Sequence, residues 1–275
     1  MEPRPTEVPR PIQLQIADAI RMRIERGDLR PGDSLPTLAE LCQQWSTSMN
    51  SARGAVALLK AQGLITAGRG KAPRVRIPPA RVVRSSERHQ AEKDLAAQPE
   101  VERAAVGEAE TNLGMSIQDQ DFRTEYDIIT IEAELAQALG APEGSAALRR
   151  LYESTDRRTG NLLSHSTSYI PVELLEGNPD LLDPSKEPWP GGTMHQLSTV
   201  GIEIMTVVDE VTGRMPTTVE AQTWGLPDGV PLLICRRISL DESDRVVEVS
   251  DAEYPADRTE LRFVASLKPW THHKS

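Results

Sequence analysis

The chain has 275 residues, a length typical of two domains. Its composition, with 38% hydrophobic and 26% charged residues, is ordinary for a globular protein. The longest apolar runs are too short for a membrane span, and the proline-rich start lacks the apolar core of a signal peptide. The net charge of −10, taken over the whole chain, argues against binding to nucleic acid. The charge is unevenly distributed, however: residues 1–88 contain 15 Lys and Arg and 8 Asp and Glu, whereas the remaining residues contain 16 Lys and Arg and 33 Asp and Glu. This asymmetry favours a phosphate-binding module on an acidic body, with chance clustering as the alternative.

The first predicted element is an amphipathic helix over residues 12–26. Its isoleucines recur at three- and four-residue spacing, which places them on one face. Gly27 is expected to end this helix, because glycine readily adopts the left-handed conformation that follows a helix. A Pro-Gly turn at residues 28–33 comes next.

Two further helices and a small hairpin are predicted before residue 78. Thr37 and Glu40 fit a capping box that starts the second helix, and Ser48 is a suitable N-cap for the third. Gly63 is expected to end the third helix. Short strands at 64–66 and 74–77 then enclose a Gly-Arg-Gly tip, whose small neighbours allow close approach to a nucleic-acid groove.

These segments, and the run GDLRPGDSLP in particular, resemble the winged helix-turn-helix of GntR-type transcription regulators. The resemblance implies a DNA-binding domain over residues 11–77. It implies base-edge contacts from the start of the third helix, backbone contacts elsewhere and a wing tip in the minor groove. The implied base-edge residues are Asn50, Ser51 and Arg53, the backbone residues are Thr37, Ser48 and Lys71, and the wing tip is Gly68, Arg69 and Gly70. Ala39 and Met49 stand where the family usually has arginines.

Residues 78–107 are charged, poor in large apolar residues, and predicted to be a partly helical linker. Behind the linker, the segment 140–144 (GAPEG) recurs as 225–229 (GLPDG), an offset of 85 residues. The same offset relates two aspartates and two tyrosines, in the pairs Asp156 with Asp241 and Tyr169 with Tyr254. Two similar halves, each a helix followed by a hairpin, predict one antiparallel sheet with pseudo-twofold symmetry, unless the agreement is due to chance.

This second part resembles the UTRA ligand-sensing domain of the HutC-like branch of the GntR family, over about residues 108–270. The resemblance implies an α+β chain in which a chorismate-lyase-like antiparallel sheet with helices follows the winged helix-turn-helix. It also implies homodimerisation and binding of a small effector of unknown identity. The effector residues carried over by position are Arg150, Ser166, Thr193, His195, Glu248 and Tyr254. Tyr152 occupies a place where members that bind phosphosugars often have a second arginine, and the arginines could instead form surface or dimer salt bridges.

The sequence contains few residue patterns that would indicate an enzyme. No Ser-His-Asp spacing, phosphate-binding loop or metal-ligand set is evident, and no cofactor is predicted. The two separated cysteines, Cys42 and Cys235, are expected to be free thiols in a reducing cytoplasm. The sequence therefore predicts a cytoplasmic regulator, a homodimeric repressor of a pseudo-palindromic operator that a small molecule releases. The alternatives are a repressor without a ligand response and an enzyme of the chorismate-lyase-like fold.

Overall fold

The computed structural model describes residues 10–66, 72–107 and 120–267. Its helices are α1 (Ile12–Glu25), α2 (Leu38–Trp45), α3 (Met49–Ala61), α4 (Arg88–Ala96), α5 (Glu100–Gly107), α6 (Ala133–Leu139), α7 (Gly192–Ser198) and α8 (Thr218–Thr223). Its strands are β1 (Ile65–Thr66), β2 (Arg74–Val75), β3 (Val82–Ser85), β4 (Gln120–Thr130), β5 (Ala146–Asp156), β6 (Leu162–Pro171), β7 (Thr206–Arg214), β8 (Leu232–Leu240), β9 (Val246–Pro255) and β10 (Thr259–Arg262). Within the described ranges, no helix combines the length and apolarity that a membrane crossing requires.

The chain divides into two compact units. The first, called the head, comprises residues 1–79 with 215–230, and the second, called the sensor, comprises residues 80–214 with 231–275. In the head, α1, α2 and α3 surround one apolar core, and β1 pairs antiparallel with β2. The predicted three helices and two-stranded wing are thus confirmed. The fully or almost fully buried side chains at the centre of this core are Ile16, Leu41, Ala52, Ala55 and Leu59.

The sensor is organised around a six-stranded antiparallel sheet with the order β4-β5-β6-β9-β8-β7. One face carries an apolar cluster that includes Leu148, Leu197 and Val247, and the other packs against α6 through residues such as Leu139 and Val249. The segment predicted to be a linker contributes β3, α4 and α5, and β3 pairs in parallel with β10.

The predicted duplication is visible in the strand order, because β4-β5-β6 and β7-β8-β9 form two mirrored halves of the sheet. Gly140 and Gly225 both follow a helix and both have a positive φ, 62° and 59°. Asp156 and Asp241 both accept backbone N–H bonds in the hairpin turns.

The correspondence between Tyr169 and Tyr254 is wrong. The amide of Asp156 bonds to Asn161, five residues on, whereas the amide of Asp241 bonds to Arg245, four residues on. The second turn is therefore one residue shorter, and a one-residue shift moves a side chain to the opposite face of a sheet. Tyr169 lies opposite Val249 and Tyr254 opposite Leu233, on different faces.

Candidate functional site

The start of α2 in the head is fixed by its predicted cap. Thr37 Oγ1 accepts a hydrogen bond from Glu40 N–H at 3.2 Å, and Glu40 Oε2 accepts one from Thr37 N–H at 2.7 Å. These reciprocal bonds satisfy two amides that a helix start leaves without intrahelical partners, and they lower the pKa of the Glu40 carboxyl. Thr37 itself is exposed at this terminus.

The start of α3 is held by Ser48, whose Oγ accepts the N–H of Ser51 at 3.2 Å. The hydroxyls of Ser48 and Ser51 also lie 3.1 Å apart, so the side chain of Ser51 participates in the cap. Asn50 and Arg53 are exposed in the first turns of the same helix. The cap thus presents two long polar side chains, Asn50 and Arg53, to solvent.

The other predicted DNA-contacting residues are placed as follows. Gly68, Arg69, Gly70 and Lys71 lie outside the described residues. Ala39 and Met49, which stand where arginines are expected, are both exposed near the starts of α2 and α3. The surface that would face a DNA groove therefore has a methyl group and a thioether at two positions, neither of which can bond to a phosphate.

A polar row crosses all six strands of the sensor sheet. The register aligns one residue from each strand on the same face, in the order Tyr126, Arg150, Ser168, Ser250, Arg237 and Asp209. Residues paired across antiparallel strands share a face and lie close together, so these six side chains form a continuous line. Only the sheet register brings together residues that are up to 124 positions apart in the sequence.

Arg150 is 2% exposed, and its guanidinium is bonded to protein groups. Its Nη2 lies 2.6 Å from Glu248 Oε1, and the remaining bonds extend to two hydroxyls and an amide oxygen. The further acceptors are Ser168 Oγ at 2.8 Å, Gln196 Oε1 at 2.5 Å and Thr193 Oγ1 at 3.2 Å. Burial lowers the pKa of Arg150, but the neighbouring tyrosine and glutamate groups raise it by more, so the guanidinium is charged. It therefore ties β5, β6, β9 and α7 together.

A cavity of about 230 Å³ opens above the middle of this row. Hydroxyl groups are prominent in its wall, and the ionisable side chains among its described lining residues are Glu92, Arg237 and Glu248 besides the phenol of Tyr152. The hydroxyl-bearing aliphatic residues are Ser166, Ser168, Thr193, Ser239 and Ser250. The predicted residues Ser166, Thr193 and Glu248 are thus brought together, with Arg150 bonded to two of them.

Two tyrosines and a glutamate buttress one side of the cavity. Glu187 Oε1 accepts hydrogen bonds from the hydroxyls of Tyr126 and Tyr152, the latter at 3.0 Å, and from Gln196 Nε2 at 2.9 Å. Burial raises the pKa of Tyr126 to about 12 and raises that of Tyr152 as well, so both phenols are protonated donors. Tyr152 thereby supplies a hydroxyl where the resemblance expects a cation.

Two predicted effector residues lie elsewhere. The indole Nε1–H of Trp189 donates to Nδ1 of His195 at 2.8 Å, and burial lowers the pKa of this histidine. Tyr254 follows Glu248 by six residues along β9, a distance of about 20 Å. Its ring lies under the guanidinium of Arg84, with Cζ 4.4 Å from the ring centroid. The cavity wall is therefore formed without these two side chains.

Helix α4 covers the other side of the cavity. His89 Nε2 lies 2.9 Å from Asp209 Oδ2 on β7, and Arg237 Nε donates to Asp209 Oδ1 at 3.0 Å. Lys93 pairs with Glu203 at 2.8 Å. Although burial opposes it, bonds from His89 and Arg237 hold the pKa of Asp209 far below its usual range. These contacts position Glu92 in the cavity wall.

Stability of the α4 contact is expected to depend on pH. The hydrogen bond to Asp209 and the carboxylate of Glu92, 3.9 Å from Nδ1, raise the pKa of His89, with burial and the positive charges of Arg237 and Arg88 opposing them. A raised pKa in the folded state means that the contribution is complete below about pH 6.5, the unfolded value, and is lost as pH rises through the folded value. We expect the hydrogen-exchange protection across α4, corrected for the intrinsic pH dependence of amide exchange, to decrease over that range, and His89→Gln to remove that decrease. An unchanged profile in the variant would exclude His89 as its source.

Sequence reasoning missed much of this site. Glu187 lies in an irregular proline-rich loop, where no periodicity marks a side chain as inward, and Glu92 lies in the segment predicted to be a linker. Arg237 could have been predicted from the sequence. Side chains of a strand alternate between the two faces, so the two adjacent arginines in the segment ICRRIS must lie on opposite faces of the sheet. The opposite arginine, Arg236, pairs with Asp251 at 2.7 and 2.9 Å.

Two family models match the chain. Residues 12–75 match bacterial regulatory proteins of the gntR family, and residues 124–260 match the UTRA domain. An uncharacterised HTH-type transcriptional regulator of Streptomyces coelicolor is 28% identical over 244 residues, 85% of each chain. The HTH-type transcriptional repressor NagR of Bacillus subtilis is 25% identical over 258 residues, 91% of this chain and 93% of its own. A crystal structure of a GntR-family regulator shares the fold, with a TM-score of 0.64 and 23% identity over 94% of this chain and 99% of that one.

Proposed function

Because the chain belongs to the GntR family of bacterial transcription regulators and carries a UTRA domain, we propose that it is a homodimeric repressor released by a small effector. The family and the relatives are transcription regulators and not enzymes. In this proposal, two heads occupy successive major grooves of a pseudo-palindromic operator, about one helical turn apart.

The observation that supports DNA reading is the exposure of Asn50 and Arg53 on a capped helix. Asn pairs with adenine and Arg with guanine through two hydrogen bonds each, which makes these side chains suited to base edges. Ser51, in the same turn, is proposed as a further base-edge residue. Thr37 and Ser48 lie at helix starts, where backbone amides and small hydroxyls suit phosphates. Arg69 and Lys71, between and beside Gly68 and Gly70, are proposed as the minor-groove and phosphate contacts of the wing.

The observation that carries the effector response is the cavity above the polar row. Its wall unites α4, α7 and five strands of the sheet, β5 to β9, so a bound molecule would contact several of these elements at once. We assign Ser166, Thr193 and Glu248 to effector contact, and Arg150 to holding Thr193 and Glu248 in position. His195 and Tyr254 are proposed only as supports of the surrounding packing, through Trp189 and Arg84.

Selection of binding sites from random duplex DNA by the full chain tests the DNA-binding proposal. We expect inverted repeats with half-sites about one helical turn apart, and two chains per site by mass photometry. Single half-sites bound by one chain would contradict the homodimer. A pseudo-palindrome bound equally well with and without fractionated cell metabolites would favour the alternative of a repressor without a ligand response.

A further inference from the structure

The charges around the sensor cavity are already paired within the protein, and from this we propose that the effector is an uncharged polyhydroxy compound of monosaccharide size. This inference rests on the proposed effector response and specifies the class of ligand. It predicts that a free sugar, cyclitol or polyol binds, and that its phosphate ester does not.

The two arginines of the polar row each have a bonded carboxylate. Arg150 lies 2.6 Å from Glu248, which lines the cavity, whereas Arg150 is 2% exposed and is not among the lining residues. Arg237, which does line the cavity, lies 3.0 Å from Asp209. An anionic ligand at Arg150 would have to displace Glu248, and one at Arg237 would compete with Asp209 for the same guanidinium. A displaced carboxylate would remain desolvated without its partner.

The third charged lining residue, Glu92, is an anion whose charge is likewise balanced by neighbours. Burial raises its pKa, but the imidazole of His89, 3.9 Å away, and the charges of Arg88 and Arg237 have the larger combined effect and lower it. A phosphate or carboxylate entering the cavity would therefore meet the carboxyl groups of Glu92 and Glu248 in the wall. Like charges at close range disfavour each other strongly where water is excluded.

Hydroxyl groups supply the remaining polarity of the wall. In the described part of the chain, the hydroxyls of Ser166 and Ser250 line the cavity with no protein hydrogen-bond partner, and Ser168 accepts from Arg150 while its own proton stays available. The carboxylate of Glu248 accepts additional bonds from ligand hydroxyls. Alternating donors and acceptors on two adjacent strands match the vicinal hydroxyls of a polyol, and the cavity volume of about 230 Å³ suits a small ligand.

The test is a thermal-shift screen of the full chain with matched pairs of compounds, each an uncharged sugar or polyol and its phosphate ester, at millimolar concentration. We expect at least one uncharged member to stabilise the protein and its phosphate ester to bind at least about 100-fold more weakly. Ser250→Ala should weaken binding of that compound about fivefold, the effect of one hydrogen bond. Tighter binding of the phosphate esters, or no response to any uncharged member, would overturn the proposal.

A variant that lacks one of the paired charges provides a second test, in which the preference between the two members of a compound pair is measured. Asp209→Asn leaves Arg237 without its carboxylate, so the variant should accept a phosphate ester that the natural protein rejects. Asp251→Asn is the matched control, because it removes the β9 partner of Arg236, which lies on the opposite face of β8 from Arg237. An unchanged preference in Asp209→Asn would contradict the role of paired charges. If a phosphate ester releases the protein from operator DNA, the proposed function as a regulator is supported and this inference is wrong. If the natural protein binds no operator DNA at all, the proposed function itself is wrong.

Discussion

Replacing Arg53 with alanine is expected to abolish specific operator binding. The side chain is exposed in the first turns of α3, where the cap at Ser48 fixes the direction of the helix. One bidentate arginine–guanine contact contributes about 1–3 kcal/mol of discrimination, and a dimer loses two of them. The affinity for the selected operator should therefore fall by about 30-fold to more than 10⁴-fold, measured by gel shift against competitor DNA.

Arg23→Ala is the matched control for this prediction, because it removes the same charge from an exposed position in the last turn of α1. Both variants lose one positive charge per chain and should lose non-specific affinity to a similar, small extent. Equal operator affinity of the two variants would exclude α3 as the reading element. A shallower salt dependence without loss of sequence preference would reassign Arg53 to a phosphate contact.

Replacing Arg150 with methionine is expected to cause the largest loss of stability in the sensor. The substitution removes four side-chain bonds and leaves Glu248, which is 5% exposed, without its cation. Breaking a buried ion pair costs about 3–5 kcal/mol, which corresponds to a decrease in Tm of about 6–20 °C for a unit of this size. The decrease in Tm is measured by monitoring thermal unfolding with circular dichroism.

The neighbouring Arg149 provides the control, since it lies on the opposite face, is partly exposed and pairs with Asp127 there. Arg149→Met should change the free energy of unfolding by less than about 1 kcal/mol. The double variant Arg150→Met with Glu248→Leu should recover much of the lost stability, because it leaves no desolvated charge. A double variant as unstable as the single one would show that the ion pair is not the source of the effect.

Local signals in the sequence were sufficient for the head. The capping residues Thr37, Glu40 and Ser48 act over three residues, so their role is visible without knowledge of the fold. The mirrored sheet was also predictable, because the repeated glycine turn marks equivalent points in both halves. These features depend on interactions between residues that are close in sequence.

The chemistry of the sensor depends on register, which the sequence does not specify. Arg150 and Glu248 are 98 positions apart, and each was predicted from family resemblance, but their pairing follows only from the alignment of β5, β6 and β9. Tyr254 was misplaced because its position along the sheet cannot be read from the sequence: it shares a face with Glu248 and Ser250, but six residues of β9 separate it from Glu248, about 20 Å along the strand. Glu92 was missed because a polar, weakly amphipathic α4 resembles a solvated linker.

The parallel pairing of β3 with β10 has a consequence for domain exchange. Val82 lies opposite Thr259 and Ser85 opposite Arg262, so the chain enters the sensor beside the strand that completes it. A junction at residue 80 therefore precedes β3 and does not interrupt the six-stranded sheet. The head also includes residues 215–230, so an exchange of the whole DNA-reading module replaces that segment together with residues 1–79. Chimeras made with both replacements are the natural way to transfer this sensor to a different promoter.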